Sequence, residues 1–175
     1  MRYVAFSMVG AYHRKMGLSN EDRIACTVTA DDIGICVVCD GAGGKKAGKD
    51  AANVLAPKLL EWMAKSFWVQ FYSEGDTVKR RLVQQIRHIL EEYAAENALD
   101  PKELGCTVMI GAIARDGSCQ CVNLGDDMIL AKSRFCRENR ADIISLPARG
   151  SVKNSTYLTS SENLFDHIKY YRFRI

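Results

Sequence analysis

The sequence predicts an α+β fold in which strands are layered against a pair of long helices. Two groups of strand-like segments, rich in Val, Ile, Phe and Cys and separated by turn residues, flank a central region with helical periodicity. This order favours an α+β layered sandwich over a parallel sheet built from alternating βα units. With 175 residues, 47% of them hydrophobic and 26% charged, the chain has the composition of one globular domain over residues 1–175.

The first group of strands is predicted from apolar segments that end at turn-forming residues. These segments are residues 1–12, 22–30 and 33–39. The turn around Asp31 and Asp32 separates the second segment from the third, and we expect these two to form a hairpin.

Two helices of about twenty residues each are predicted in the middle of the chain. In residues 46–67, apolar side chains recur every four positions and line one helix face. Pro57 inside this pattern predicts a kink. Residues 78–97 repeat the amphipathic pattern, which ends ahead of Asp100-Pro101.

A second group of strands follows the helices. It is predicted at residues 106–114, 119–124, 128–133, 143–146 and 157–160. A turn at Asp116-Gly117 joins the first two of these strands.

Charge and hydropathy argue against several classes of partner. With 24 basic and 21 acidic side chains, the net charge is only +3, so nucleic acid is not expected as a partner. No apolar run reaches the length of a membrane span, and the first residues lack a full signal-peptide core. We therefore expect a cytoplasmic protein with no membrane partner, and no oligomeric state is predicted.

The cysteines are expected to be reduced and buried. Their number, seven, is odd, and most of them lie in apolar segments. Cys36 and Cys39 have the spacing of a redox or zinc pair, but residues three apart on a strand point to opposite faces.

Two basic runs, residues 79–81 and 132–140, are interpreted as solvated surface. For the second run, a docking site for a phosphopeptide or an acidic partner is the alternative.

Acidic residues stand where predicted strands begin or end. Glu21 and Asp22 open one strand, Asp40 closes the next and is followed by Gly41, and Asp126-Asp127 follows another. Hard divalent cations such as magnesium and manganese take several oxygen ligands, and a glycine lets a backbone carbonyl turn inward as a further ligand. The pattern predicts a metal site. A phosphate-binding loop is disfavoured because the glycine-rich stretch at residues 41–49 lacks the Gly-Lys-Ser/Thr ending.

Several short motifs, in order, carry a resemblance to a known family. They are Gly10-Ala11-Tyr12-His13, Asn20-Glu21-Asp22, Cys39-Asp40-Gly41-Ala42-Gly43-Gly44, Gly105-Cys106-Thr107 and Asn123-Leu124-Gly125-Asp126-Asp127. Together they resemble the bacterial branch of the metal-dependent (type 2C) protein phosphatases, which remove phosphate from phosphoserine and phosphothreonine in proteins. The resemblance implies a β-sandwich flanked by helix pairs, with a binuclear manganese or magnesium centre at one end of the sheets.

The resemblance also implies roles for single residues. Asp40 corresponds to the carboxylate that bridges both metals, and Gly41 to a backbone carbonyl ligand. Glu21 or Asp22 would complete one metal, and Asp126 matches the aspartate that helps to hold a third metal. The catalytic candidates implied in this way are Asp40 and Asp22.

The first loop departs from the family pattern. The arginine that many members use to bind phosphate is Gly17 here. His13, Arg14 or Lys15 would take its place, or the loop cations have no such role. His13 is the third catalytic candidate, with packing or hydrogen bonding in the first loop as its alternative role.

A second departure concerns the metal ligands. Family domains continue past the position of Ile175 to Asp-Gly and Asp-Asn motifs that bind one metal, and this sequence does not match those motifs. Residues 168–175 resemble the lead-in to the strand that would present the first motif. From this we expect a C-terminally incomplete domain that holds at most one weakly bound ion and is weak or inactive as an enzyme. A noncatalytic phosphopeptide-binding or regulatory module is the alternative function.

Overall fold

The computed structural model of the chain describes residues 1–132, 141–148 and 156–175. Its helices are α1 (Ala11–Lys15), α2 (Gly48–Phe71), α3 (Gly75–Asn97) and α4 (Leu164–His167). Its strands are β1 (Asp22–Val28), β2 (Gly34–Asp40), β3 (Val108–Ile113), β4 (Ser118–Leu124), β5 (Ile129–Ala131), β6 (Asp142–Ser145) and β7 (Lys169–Arg174).

Five strands form one antiparallel sheet in the order β1-β2-β3-β4-β7, and β5 pairs with β6 in a separate two-stranded sheet. All the pairings are antiparallel, and β1 and β2 form the predicted hairpin. The predicted α+β class is confirmed, and the alternative of a parallel sheet with alternating helices is wrong for the described residues.

The core lies between α2, α3 and one face of the large sheet. On β2, Ile35, Val37 and Cys39 are buried at alternating positions, as expected for a strand with one face toward the core. The periodic positions predicted for α2, including Leu59 and Met63, are fully buried. Burying each large apolar side chain contributes roughly 1.5–3 kcal/mol.

Polar contacts tie the sheet to the end of α2. The Gln120 side-chain amide on β4 donates to the Phe67 carbonyl over 2.8 Å, and it accepts from the Tyr170 hydroxyl of β7 over 2.9 Å. Burial raises the pKa of Tyr170 to about 12, so this hydroxyl keeps its proton at neutral pH. The buried amide is therefore satisfied on both sides.

Both predicted helices are confirmed. α2 begins at Gly48 and ends at Phe71, both later in the chain than predicted, and α3 begins at Gly75, earlier than predicted. α2 continues through Pro57, so the proline does not end it. α3 closes at Ala98, which adopts a left-handed conformation with φ of 53°.

Two predicted strands are wrong. Residues 1–10 have no regular structure, residues 11–15 are helical, and residues 157–160 are not a strand. Apolar composition is insufficient because a strand also needs a neighbour for its backbone hydrogen bonds. Val4 is 92% exposed. Thr159 donates its backbone N–H to the Cys106 carbonyl over 2.9 Å, but residues 157–160 form no ladder of such bonds.

The prediction that all cysteines are reduced is also wrong. Cys26 and Cys36 lie directly opposite each other on β1 and β2 and form a disulfide, with 4.2 Å between their Cα atoms. The register of the hairpin, which composition does not reveal, brings them together. The remaining cysteines among the described residues are free and buried, namely Cys39, Cys106, Cys119 and Cys121, whereas Cys136 lies outside the described residues.

Of the two basic runs, residues 133–140 lie outside the described residues. In the other, Arg80 and Arg81 are exposed as predicted, while Lys79 places its ammonium 4.1 Å from the centre of the Phe165 ring. Within the described ranges, no helix combines the length and the apolar character needed to cross a bilayer.

Candidate metal centre

Asp22 and Asp40 face each other at one end of the large sheet. Asp22 is the first residue of β1 and Asp40 is the last of β2, and the antiparallel register pairs them directly. Directly paired residues on neighbouring strands project their side chains to the same face. The hairpin therefore joins two predicted metal ligands that are distant in sequence.

The pKa of Asp40 is raised from 3.8 to about 7. Partial burial of its carboxyl is the largest cause, followed by a hydrogen bond and charge repulsion from Asp22, and then by the charges of Asp127 and Asp126. Without a cation, this group of carboxylates cannot ionise fully at neutral pH, so it retains a proton.

Asp22 is held in place by polar groups that precede β1. The Ser7 hydroxyl donates to its Oδ2 over 2.9 Å, and the Asn20 amide donates to Ser7 Oγ over 2.7 Å. Asn20 Oδ1 also accepts the backbone N–H of Asp22 over 3.1 Å. The asparagine of the first motif thus orients the carboxylate two residues later.

The glycine-rich loop after β2 packs tightly against the start of α2. A Cβ on Gly41 would lie 2.8 Å from the backbone of Gly48, and only glycine fits without displacing the helix. The N–H of Gly41 donates to the Glu21 carbonyl over 3.2 Å. Glu21 Oε2 would lie 3.2 Å from a Cβ on Gly43, so the Glu21 carboxylate lies against this loop.

Thr107 connects the end of β2 to the loop after β4. Its backbone N–H donates to the Asp40 carbonyl over 2.9 Å, and its Oγ1 accepts the Asp40 N–H over 3.1 Å. The same hydroxyl donates to Asp127 Oδ2 over 3.0 Å. In the sequence Thr107 stands out only as part of a motif, and its positioning role is visible only in the structure.

Asp127, which was not predicted as a site residue, faces this group of carboxylates. Asp126 is exposed, whereas Asp127 is half-buried, and this burial is the main reason why its pKa is raised. The hydrogen bond from Thr107 lowers the pKa of Asp127 and so partly offsets the effect of burial. No sequence signal separates two adjacent aspartates, because the turn at Gly125 decides which one points inward.

His13 lies on the short helix α1 and is half-buried. Its assignment as a catalytic residue is not tested by the fold and stays a prediction, as do the metal-ligand roles of Glu21, Asp22, Asp40, Gly41 and Asp126.

The donor chemistry fits a hard divalent cation. Carboxylates and backbone carbonyls are the ligands of magnesium and manganese, and a cation relieves the repulsion that raises the pKa of Asp40. Among the described residues, no three His, Cys, Asp or Glu side chains are already grouped as a metal site.

Comparison with known proteins identifies the family. Residues 9–174 match the family described as Protein phosphatase 2C. The chain belongs to this family. The match to protein phosphatase 2C includes the strand-end acidic residues and the glycine loop.

Similar proteins include bacterial phosphatases. The chain is 31% identical over 108 residues to the serine/threonine phosphatase stp of Listeria monocytogenes, and the match covers 61% of this chain and 42% of that protein. The chain thus spans less than half the length of this relative.

Solved structures of bacterial phosphatases share the fold. The serine/threonine phosphatase Stp1 of Staphylococcus aureus superimposes with a TM-score of 0.60 at 19% identity, covering 90% of this chain and 66% of that one. The serine/threonine phosphatase of S. agalactiae gives a TM-score of 0.63 at 16% identity, covering 90% and 69%. A crystal structure of a bacterial serine phosphatase gives 0.61 at 19% identity, covering 89% and 68%.

Proposed function

We propose that the carboxylates around Asp40 form the cation site of a phosphatase that hydrolyses phosphoserine and phosphothreonine in proteins. The observation that carries the proposal is the direct pairing of Asp22 with Asp40 at the sheet end, in a chain of the protein phosphatase 2C family. The likeness to serine/threonine phosphatases supports the substrate class, a phosphorylated protein. A cytoplasmic location and a single domain over residues 1–175 remain parts of the proposal.

A manganese or magnesium ion would be held by Asp40, Asp22 and the Gly41 carbonyl, with Glu21 and Asp126 as the other predicted ligands. When bound, such an ion neutralises charge on phosphoryl oxygens and lowers the pKa of water. The raised pKa of Asp40 means that its proton competes with the ion, so affinity should rise as the pH passes through about 7.

The chain's own residues supply orientation for this chemistry. Ser7 and Asn20 hold the Asp22 carboxylate, and Thr107 fixes the backbone of Asp40. Hydrolysis forms a bond from water oxygen to phosphorus while the bond to the serine or threonine oxygen breaks, and that oxygen takes up a proton. This reaction depends mostly on positioning and charge, so rigid strand ends are suitable supports. His13 is the proposed contact for the substrate phosphate.

Phosphate release from a phosphothreonine peptide, with and without millimolar manganese, tests the proposal. We expect release that depends on manganese, is lost in Asp40→Asn and is retained in Glu61→Gln, an exposed carboxylate on α2 used as the control. Release that persists in Asp40→Asn would contradict the proposal. Peptide binding without any release would instead support the noncatalytic module.

A further inference from the structure

We propose that the outer edge of β7 is a docking site that binds, as an added strand, an extended protein segment in which acidic and apolar residues alternate. This inference goes beyond the proposed function and does not depend on the cation site. It is carried by the open backbone of β7, by the register of this strand in the sheet and by the side chains along its edge.

The backbone of β7 is unpaired on one side. β7 is the last strand of the large sheet, and its strand partner within the described residues is β4. Among residues 1–132, 141–148 and 156–175, no backbone group hydrogen-bonds to its outer side. The opposite edge of the sheet differs, because Tyr3 and Phe6 of the N-terminal segment line a cavity together with Ile24 of β1. An edge with free N–H and C=O groups can pair with an additional strand.

The register decides which backbone groups of β7 point outward. The Ile175 N–H donates to the Gly117 carbonyl over 3.0 Å, and these residues are opposite each other when the pairing of β4 with β7 is extended by one position. In an antiparallel pair, residues that exchange hydrogen bonds alternate with residues whose N–H and C=O point the other way. The backbone groups that point away from β4 therefore belong to Tyr170, Arg172 and Arg174.

Arginines line this edge on the sheet face that carries α2 and α3. Arg172 and Arg174 are both exposed. Arg172 donates to carbonyls just beyond the end of α2, including that of Ser73 over 3.0 Å, and Arg174 Nε donates to Ser118 Oγ over 3.2 Å. The nearest acidic group recorded for Arg174 is Asp116, at 3.9 Å. Because each guanidinium has five N–H donors, donors remain on the solvent side for an incoming carboxylate.

The other face of the same edge is apolar. Tyr171 and Phe173 project there and are half-buried. Phe173 also lines a cavity of about 250 Å³ together with the two cysteines of β4. A strand added beside β7 would place its side chains alternately on these two faces. Acidic residues are therefore favoured opposite Arg172 and Arg174, and apolar residues are favoured between them.

A second copy of this chain is a poorer occupant of the edge. Antiparallel pairing of two β7 strands through Tyr170, Arg172 and Arg174 would set Arg172 directly opposite the same residue of the other copy. Like charges directly opposite each other destabilise a strand pair. The basic side chains thus disfavour pairing between copies and leave the edge open to an acidic strand.

Fluorescence anisotropy of a labelled peptide tests this docking site. The probe is Val-Glu-Val-Glu-Val-Glu-Val, and we expect the unaltered chain to bind it with an affinity that falls as salt is added. A peptide with lysine in place of each glutamate should bind at least about tenfold more weakly, because its charges would lie opposite arginines. A peptide of the same composition with all its glutamates in one block should also bind more weakly, since it cannot present acidic and apolar side chains to the two faces.

Methylation of the peptide backbone distinguishes strand addition from simple attraction of charge. A methyl group on the amide nitrogen of each glutamate removes the N–H groups that would donate to β7, so binding should be lost. A methyl group on each valine nitrogen points away from β7 and should change the affinity by less than about threefold. Equal effects of the two methylation patterns would show that the peptide is not an added strand and would overturn the proposal.

Charge reversal on β7 gives a reciprocal measurement. Arg174→Glu should weaken binding of the glutamate peptide by about tenfold and strengthen binding of the lysine peptide, because it inverts one directly opposed charge pair. Lys65→Glu is the matched control, since Lys65 is 81% exposed on α2 and its reversal adds the same charge away from β7. If Arg174→Glu does not fold, the methylated peptides decide the question with the unaltered chain.

The outcomes separate this inference from the proposed function. The docking site is overturned if the unaltered chain does not bind the glutamate peptide, binds the lysine peptide equally well, or is affected equally by Arg174→Glu and Lys65→Glu. None of these measurements uses manganese or a phosphorylated peptide, so each such result leaves the proposed phosphatase activity standing. Failure of the phosphate-release experiment would in turn leave the docking site standing.

Discussion

At the scale of single residues, the site is governed by like charges held at the ends of strands. Asp40 is paired with Asp22, and its pKa is raised to about 7 by partial burial, then by its hydrogen bond with Asp22 and the Asp22 charge, and last by the charges of Asp127 and Asp126. Carboxylates held this close together destabilise the folded state when no cation is bound, and such clusters are common where proteins bind cations. The stability of the folded chain should therefore depend both on the pH and on whether a cation is bound.

The cation-free protein should lose stability as the pH rises from about 4 to about 7. The pKa of Asp40 is raised above its unfolded value of 3.8, so the folded state holds a proton that the unfolded state has already lost in this range. The stabilisation is present below the unfolded pKa and is gone above the folded pKa. Thermal unfolding in EDTA should show that the midpoint difference between Asp40→Asn and the unaltered chain grows with pH. A difference that stays constant would refute the assignment.

Gly125→Ala should destabilise the fold strongly. The substitution places a Cβ against Thr107 at a backbone angle of +124°, which costs on the order of 1–3 kcal/mol and more where the clash cannot relax. Gly44→Ala is the control, because nothing lies within 4 Å of its Cβ position and its φ is not left-handed. Urea unfolding measures both variants, and equal stabilities would show that the Gly125 turn is not required.

At the scale of elements, the β1–β2 hairpin supports the site. Its register pairs Asp22 with Asp40 and, four residues along each strand, Cys26 with Cys36. Both pairs lie on the same sheet face because side chains alternate along a strand. A crosslink at the second pair therefore restrains the register at the first, since a slip of one residue would turn the side chains to the opposite face.

Removing the disulfide should loosen this hairpin. The crosslinked residues are 10 positions apart, and a loop of that size restricts the unfolded chain by about 2–3 kcal/mol. Under oxidising conditions, Cys26→Ser should lower the free energy of unfolding by this amount in urea titrations. With dithiothreitol present, the free energy of unfolding of the unaltered chain should approach that of Cys26→Ser. Identical stabilities under oxidising conditions would mean that the crosslink contributes nothing.

At the scale of the whole molecule, the site joins segments from both halves of the chain. Asp40 belongs to the first hairpin, whereas Thr107 and Asp127 come from strands and loops beyond the helices. Antiparallel pairing of β2 with β3, and of β3 with β4, brings these segments to one sheet end. A cation bound there would crosslink the two halves.

Manganese should therefore stabilise the folded chain as a unit. A ligand present at ten times its dissociation constant adds about 1.4 kcal/mol when it binds only the folded state. We expect the thermal midpoint to rise with manganese concentration and the rise to vanish in Asp40→Asn, whereas Glu61→Gln behaves like the unaltered chain. If Asp40→Asn is stabilised equally, the ion acts elsewhere on the protein.

The sequence by itself determined the features that depend on local pattern. Four-residue periodicity placed α2 and α3, and apolar runs between turn residues placed β1 to β4. The motifs predicted the family and the α+β fold, and they singled out Asp22 and Asp40 at facing strand ends. These features need only neighbouring residues, so one-dimensional reasoning is sufficient for them.

Tertiary structure decided the features that need a partner distant in sequence. Residues 1–10 resemble a strand but form no ladder of backbone hydrogen bonds with a described strand, whereas β7 pairs with β4 across about fifty residues. The hairpin register, and not composition, joined Cys26 to Cys36. The half-burial of Asp127 next to the exposed Asp126 depends on the Gly125 turn and the Thr107 hydroxyl, because the direction of a loop side chain is set by the surface it packs against.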